Sequence, residues 1–127
     1  MIKHDTLENQ AKMVYIGIGS NLGDKISNIE KAKHLLILNN INIIKSSSYY
    51  ETPSWPDPEK PKFFNIVVQS NTKLSPIKLI KIFKFIEKKL GRKKNFKNSP
   101  RECDIDIISY ENKVLNGDIL IPHQKMH

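Results

Sequence analysis

Ser99-Pro100-Arg101-Glu102-Cys103-Asp104-Ile105-Asp106 sets an arginine just ahead of two aspartates that are separated by one residue and followed by a β-branched run. Successive side chains of a strand point to opposite faces, so Asp104 and Asp106 fall on one face about 7 Å apart. Carboxylates that close repel unless cations lie between them. Hard oxygen ligands on one side of a rigid strand are what Mg²⁺ carrying a nucleotide requires. The alternative, a solvated strand end, is disfavoured because Asp is depleted in strands.

Arginine sharpens the reading. Of the 21 Lys plus Arg residues, only Arg92 and Arg101 are arginine, and they bracket the segment that leads into the acidic pair. In a protein this biased toward lysine, positions that keep arginine need its planar, bidentate fork rather than charge alone, and phosphate oxygens are the natural partner. Two arginines beside a carboxylate pair suit a polyphosphate with its Mg²⁺.

The elements that must position these groups can be read from periodicity. Residues 1–13 show none and are expected to be a flexible leader to one domain spanning 14–127. Val14 to Gly19 reads as a strand, and Ile26, Ile29, Ala32 and Leu36 as a helical stripe closed by Asn39-Asn40. Ile41 to Tyr50 and Phe64 to Thr72 read as further strands. Between them, Glu51 to Pro61 carries four of the seven prolines and must be a loop; at that length, with Trp55 inside it, a functional loop is expected. Ser75 as N-cap, Pro76 in the first turn and the stripe Leu79, Ile82, Phe83, Ile86, Leu90 before Gly91 define a second helix. Asp104 to Tyr110 is the last strand of this unit, and Gly117-Asp118 a turn before Leu120 to His123. The order is βαββαβ, an α+β ferredoxin-like core with an antiparallel sheet and helices on one face. In it the first and last strands are neighbours, which brings the Gly19-Ser20-Asn21 turn onto the sheet that carries Asp104 and Asp106.

Size and charge fit a small enzyme. At 127 residues the protein can bury a core without disulfides, and its single Cys103 has no intramolecular partner. No apolar run reaches the length of a membrane span and no signal-peptide core is present, so a cytoplasmic protein with no membrane contact is expected. The net charge of +8 favours anionic partners. Gly17-x-Gly19-x-x-x-Gly23 is one residue too long for a dinucleotide fingerprint, and no Gly-Lys-Ser/Thr phosphate loop follows.

Six segments together resemble the hydroxymethyldihydropterin pyrophosphokinases of folate synthesis: Gly19-Ser20-Asn21-Leu22, Tyr50-Glu51-Thr52-Pro53, Phe63-Phe64-Asn65, Glu87 with Gly91-Arg92, Pro100-Arg101-x-x-Asp104-x-Asp106, and Pro122-His123. The resemblance implies transfer of pyrophosphate from ATP to a dihydropterin hydroxymethyl group, with release of AMP. It implies that Asp104 and Asp106 bridge two Mg²⁺ ions. Arg92 and Arg101 would neutralise the triphosphate, with Lys94 and His123 as further phosphate contacts and Glu87 reaching the nucleotide pocket. Thr52, Asn65 and the backbone from Pro53 to Trp55 would bind the pterin edge, and an aromatic, Phe63 by position, would stack on its ring. Phe63 and its neighbour Phe64 point opposite ways, so only one of them can be that ring.

Structural alternatives stand beside these roles: Asn65 as a strand-end residue, Glu87 as a surface helix charge, His123 as a solvated histidine. Asn98 stands where many family members have tryptophan. Members also continue past the Pro-His motif with a further arginine, a second pterin-facing aromatic and peripheral elements, whereas this sequence stops four residues after His123. A protein truncated at its C-terminus relative to the family is expected, with Mg-ATP binding retained and turnover reduced. The partners expected are the small-molecule substrates, ATP and hydroxymethyldihydropterin, and a monomer is expected. A ferredoxin-like RNA-binding module is the alternative from another class, disfavoured because the acidic pair would repel phosphate without metal.

Overall fold

The computed structural model describes residues 10–54, 57–91, 102–116 and 119–122. The elements run β1 (Lys12–Ser20), α1 (Lys25–Leu38), β2 (Asn42–Ser46), β3 (Tyr50–Thr52), β4 (Phe63–Thr72), α2 (Pro76–Lys89), β5 (Asp104–Tyr110), β6 (Lys113–Asn116) and β7 (Ile119–Pro122). The strands form one sheet in the order β2-β4-β1-β5-β6-β7, with β3 also on β4, and the described pairings are antiparallel. This is the expected ferredoxin-like α+β arrangement, with β1 between β4 and β5.

Both helices start on side-chain caps. Asp24 accepts from the Ser27 amide at 3.2 Å, and Ser75 accepts from the Lys78 amide at 3.3 Å with Pro76 following. Each cap satisfies an amide that the first turn would otherwise leave unbonded, at a gain of about 1 kcal/mol. Ile29, Ala32 and Leu36 of α1 and Leu79, Phe83 and Ile86 of α2 pack on Val14, Ile16, Ile18, Ile66, Val68 and Ile105. Each large aliphatic so buried contributes about 1.5–3 kcal/mol. Ile26, expected in the α1 stripe, lies in its first turn at the stripe's margin and is 45% exposed.

Three details differ from the sequence reading. The first strand starts at Lys12, because Lys12 and Met13 pair with Thr72 and Asn71. The strand expected from Ile41 to Tyr50 is instead two, β2 and β3, placed along one edge of β4, and Glu51-Thr52 belongs to β3 rather than to the loop. At the break, the Ser47 hydroxyl oxygen accepts from the Val67 amide at 2.9 Å, so a side chain replaces a ladder bond and Tyr49 turns to donate to Glu30 of α1. Finally, Lys113–Asn116, which periodicity did not mark, pairs with Ile119–Pro122 as a hairpin.

One irregularity decides which residues of β5 meet solvent. Tyr15 pairs with Ser109 but Ile16 pairs with Ile107, so Ile108 is an extra residue in β5. Without this bulge Tyr110 would share a face with Asp104 and Asp106. With it, Ile105, Ile107 and Tyr110 all turn to the core, and the Tyr110 hydroxyl donates to the Leu74 carbonyl at 2.7 Å. Burial, and then the Glu111 charge, raise the Tyr110 pKa.

Candidate active site

The site is built on the sheet face opposite the helices. Across the strands, Tyr50 of β3 pairs with Asn65 of β4, Asn65 with Gly19 of β1, and Gly19 with Asp104 of β5. The next row runs Val67, Gly17, Asp106. The middle position of both rows carries no side chain, and the result is a depression of about 270 Å³. Its floor is Gly17 and Gly19, one wall is Thr52, Phe63 and Asn65, and the other is Asp104 and Asp106. A Cβ on Gly19 would come within 2.8 Å of Asn65 Oδ1 and 3.3 Å of the Phe63 ring; one on Gly17 would meet Ile108 at 3.2 Å. The two glycines, assigned no role from sequence, are what opens the site. Their signal was present, since glycines two apart in a strand mark a bare sheet face.

Asn65 is held in place by its neighbours. Its Nδ2 donates to Thr52 Oγ1 at 2.9 Å and to the Tyr50 carbonyl at 3.3 Å, which leaves Oδ1 over Gly19 as an acceptor. Phe63 lines the depression, whereas Phe64 packs against the core with Lys25 Nζ 5.3 Å from its ring centroid. The alternation of β4 thus selects Phe63 as the ring that faces the depression.

Asn21 fastens the proline-rich loop that follows Thr52. It is 3% exposed, and its Nδ2 donates to Ser54 Oγ at 3.0 Å and to the Pro61 carbonyl at 3.1 Å; Ser54 Oγ also donates to Pro61 at 2.7 Å. Lys25 Nζ adds a bond to the Lys62 carbonyl at 2.9 Å. Both ends of the loop are therefore tied to the turn after β1. Pro53 is exposed and does not line the depression, although it lies between Thr52, which does, and Ser54, which is clasped.

Glu87 is not a surface helix charge. It is 6% exposed, and its Oε2 accepts from the Ile105 amide at 2.7 Å, between the two aspartates in sequence. Gly91, at φ +113°, ends α2 beside Glu102: a Cβ there would stand 3.1 Å from the Glu102 carboxyl carbon. Trp55, Arg92, Lys94, Arg101 and His123 lie outside the described residues.

Asp104 and Asp106 offer hard oxygens on one wall, the donor type Mg²⁺ takes. Among the described residues no group of three or more His, Cys, Asp or Glu is gathered for a metal. The pair therefore fits an ion that draws its remaining ligands from water and phosphate, as Mg²⁺ commonly does, rather than one caged by protein. No described helix is long and apolar enough to cross a membrane.

Fold and site together define a ferredoxin-like α+β domain whose open sheet face sets an aromatic and amide wall opposite a carboxylate pair. Residues 15–127 match the family model described as 7,8-dihydro-6-hydroxymethylpterin-pyrophosphokinase (HPPK), and the chain belongs to that family. It is 42% identical over 111 residues to the 2-amino-4-hydroxy-6-hydroxymethyldihydropteridine pyrophosphokinase of Aquifex aeolicus (strain VF5), covering 87% of this chain and 69% of that protein. The like-named protein of Methylorubrum extorquens is 35% identical over 112 residues, covering 87% of this chain and 71% of its own. A mitochondrial folate synthesis bifunctional protein of Pisum sativum is 36% identical over 121 residues, covering 94% of this chain and 24% of that protein.

Proposed function

We propose that the protein, a pyrophosphokinase of folate synthesis, transfers pyrophosphate from ATP to the hydroxymethyl group of 6-hydroxymethyl-7,8-dihydropterin and releases AMP. The observation that carries this reading is the row Asn65, Gly19, Asp104. A flat heterocycle laid over Gly19 places its amide edge at Asn65 and Thr52, one face at Phe63, and its hydroxymethyl arm toward Asp104 and Asp106. The hydroxyl oxygen attacks the β-phosphorus of ATP, the bond to the bridging oxygen of the α-phosphate breaks, and the hydroxyl proton passes to solvent. Phosphoryl transfer depends on positioning and charge neutralisation more than on a strong base.

Asp104 and Asp106 would hold Mg²⁺, two ions in this reading, whose chemistry when bound is to neutralise the triphosphate. Arg92 and Arg101 are assigned to the phosphates by residue type and place in the sequence, and Lys94 and His123 by the family resemblance. This is supported by Gly91 and Glu102, which flank the segment carrying Arg92, Lys94 and Arg101 and adjoin one another at the start of β5. Pro53 and Trp55 are kept on the pterin side. A monomeric, cytoplasmic catalytic domain over residues 14–127 completes the reading. The RNA-binding alternative gains nothing, because a phosphate backbone on this face would meet Asp104 and Asp106.

The test is incubation of the purified protein with Mg-ATP and hydroxymethyldihydropterin, with AMP as the readout. AMP is expected to form in step with pterin diphosphate. Asp104→Ala and Asp106→Ala should abolish it, and Arg101→Lys should slow it at least about tenfold by losing the bidentate fork. Lys84→Ala should have little effect. No AMP from the wild-type protein would overturn the reading.

A further inference from the structure

The clue is the carboxylate of Glu87, which α2 carries into the packed interface with β5, where a charge is costly unless it is bonded. A main-chain amide, that of Ile105, donates to its Oε2 at 2.7 Å. On this outer side of β5, the strand pairing among the described residues is confined to Tyr110 with Lys113. Glu87 therefore does at Ile105 what a neighbouring strand would otherwise do, at the residue whose two neighbours in sequence put Asp104 and Asp106 on the open face.

We infer that Glu87 is a positioning residue for the carboxylate pair: by holding the Ile105 amide it fixes the tilt of β5 between Asp104 and Asp106, and so the spacing of their oxygens toward a divalent cation. This rests on the proposed function for the identity of the cation site, but it assigns Glu87 a role through the backbone rather than by contact with nucleotide. Partners that orient metal ligands affect affinity by about 10- to 100-fold when removed. The Thr52, Phe63 and Asn65 wall stands on β3 and β4, on the far side of β1, and does not depend on this bond.

Two substitutions separate the bond from the charge. Glu87→Gln keeps an acceptor oxygen at the same reach, whereas Glu87→Asp keeps the charge but withdraws it by one methylene. Mn²⁺ affinity is measured by electron paramagnetic resonance with a non-hydrolysable ATP analogue, and pterin affinity is measured without metal, on variants shown to be folded by circular dichroism. Glu87→Asp is expected to weaken Mn²⁺ binding by about 10- to 100-fold with pterin affinity unchanged, and Glu87→Gln to stay close to wild type. The opposite order, Asp tolerated and Gln damaging, would overturn the inference in favour of a direct charge contact. Equal loss of Mn²⁺ and pterin affinity, or no loss in either variant, would also overturn it. Should Glu87→Asp not fold, the Ile105 amide resonance of the wild-type and Glu87→Gln proteins replaces it, and a signal unmoved by Mg²⁺ and the analogue overturns the inference. A wild-type protein that binds no Mn²⁺ with the analogue removes the proposed function as well, whereas the outcomes above remove this inference alone.

Discussion

Asn65 and Asp104 share one row of the sheet with Gly19 alone between them. Two strand spacings, about 10 Å, therefore separate the Asn65 amide from the Asp104 carboxylate. Hydrogen bonds of the sheet set that span, so under the proposed function the group that would recognise the pterin and the group that would hold Mg²⁺ are kept at a fixed distance.

Gly19→Ala tests the bare row. The new methyl would meet Asn65 Oδ1 at 2.8 Å, and Asn65 can retreat only by giving up its bonds to Thr52 and Tyr50. Pterin affinity should fall at least about tenfold, the factor that 1.4 kcal/mol represents, while nucleotide affinity changes little. Calorimetric titration with each ligand separately checks this; a matching loss for both ligands would point to a general disturbance of β1.

Phe63 and Phe64 should divide their effects. Phe63→Ala removes a ring that faces the depression, so pterin binding should weaken by the stacking contribution of about 0.5–1.5 kcal/mol plus buried area, with a small change in Tm. Phe64→Ala should instead destabilise the fold by about 2 kcal/mol, below the range for a fully buried ring, because Phe64 is only partly buried. Thermal unfolding and pterin titration of both variants decide it, and a reversed pattern would mean that the faces of β4 are misassigned.

Asn21→Ala should loosen the loop that carries Ser54 and Pro61. Losing a buried amide that donates twice costs about 1–3 kcal/mol in stability. Because Thr52 leads into that loop, the KM for pterin should rise while the KM for ATP holds. Urea denaturation with steady-state kinetics tests both parts; lost stability with an unchanged pterin KM would confine Asn21 to a structural role.

Alkaline stability should report Tyr49. Burial, followed by its hydrogen bond to Glu30 and the Glu30 charge, pushes its pKa from 10.0 to about 12. A phenol raised in the folded state contributes fully below its unfolded pKa, and that contribution is lost as pH rises through the folded value. Between pH 10 and pH 12, Tyr49→Phe should thus lose less stability than wild type. Identical pH slopes in urea titrations would show that Tyr49 ionises as a free phenol.

The sequence by itself determined most of the elements and which way several of the candidate site residues point. Ser75-Pro76 and the stripe Leu79, Phe83, Ile86 define α2 because helix start signals and a 3.6-residue period are local properties. Asp104 and Asp106 share a face because a strand alternates, and that also is local. Tertiary structure decided the relations across strands. Only the register of β1 shows that Gly17 and Gly19 floor a depression beside the carboxylates, and only the orientation of β4 selects Phe63 over Phe64. The bulge at Ile108 and the bond from Ile105 to Glu87 each join residues far apart in sequence, as does the clasp of Asn21 on Ser54. Periodicity reports which way a side chain points from its own backbone; what it meets there depends on which strand or helix packs opposite, and no local pattern encodes that.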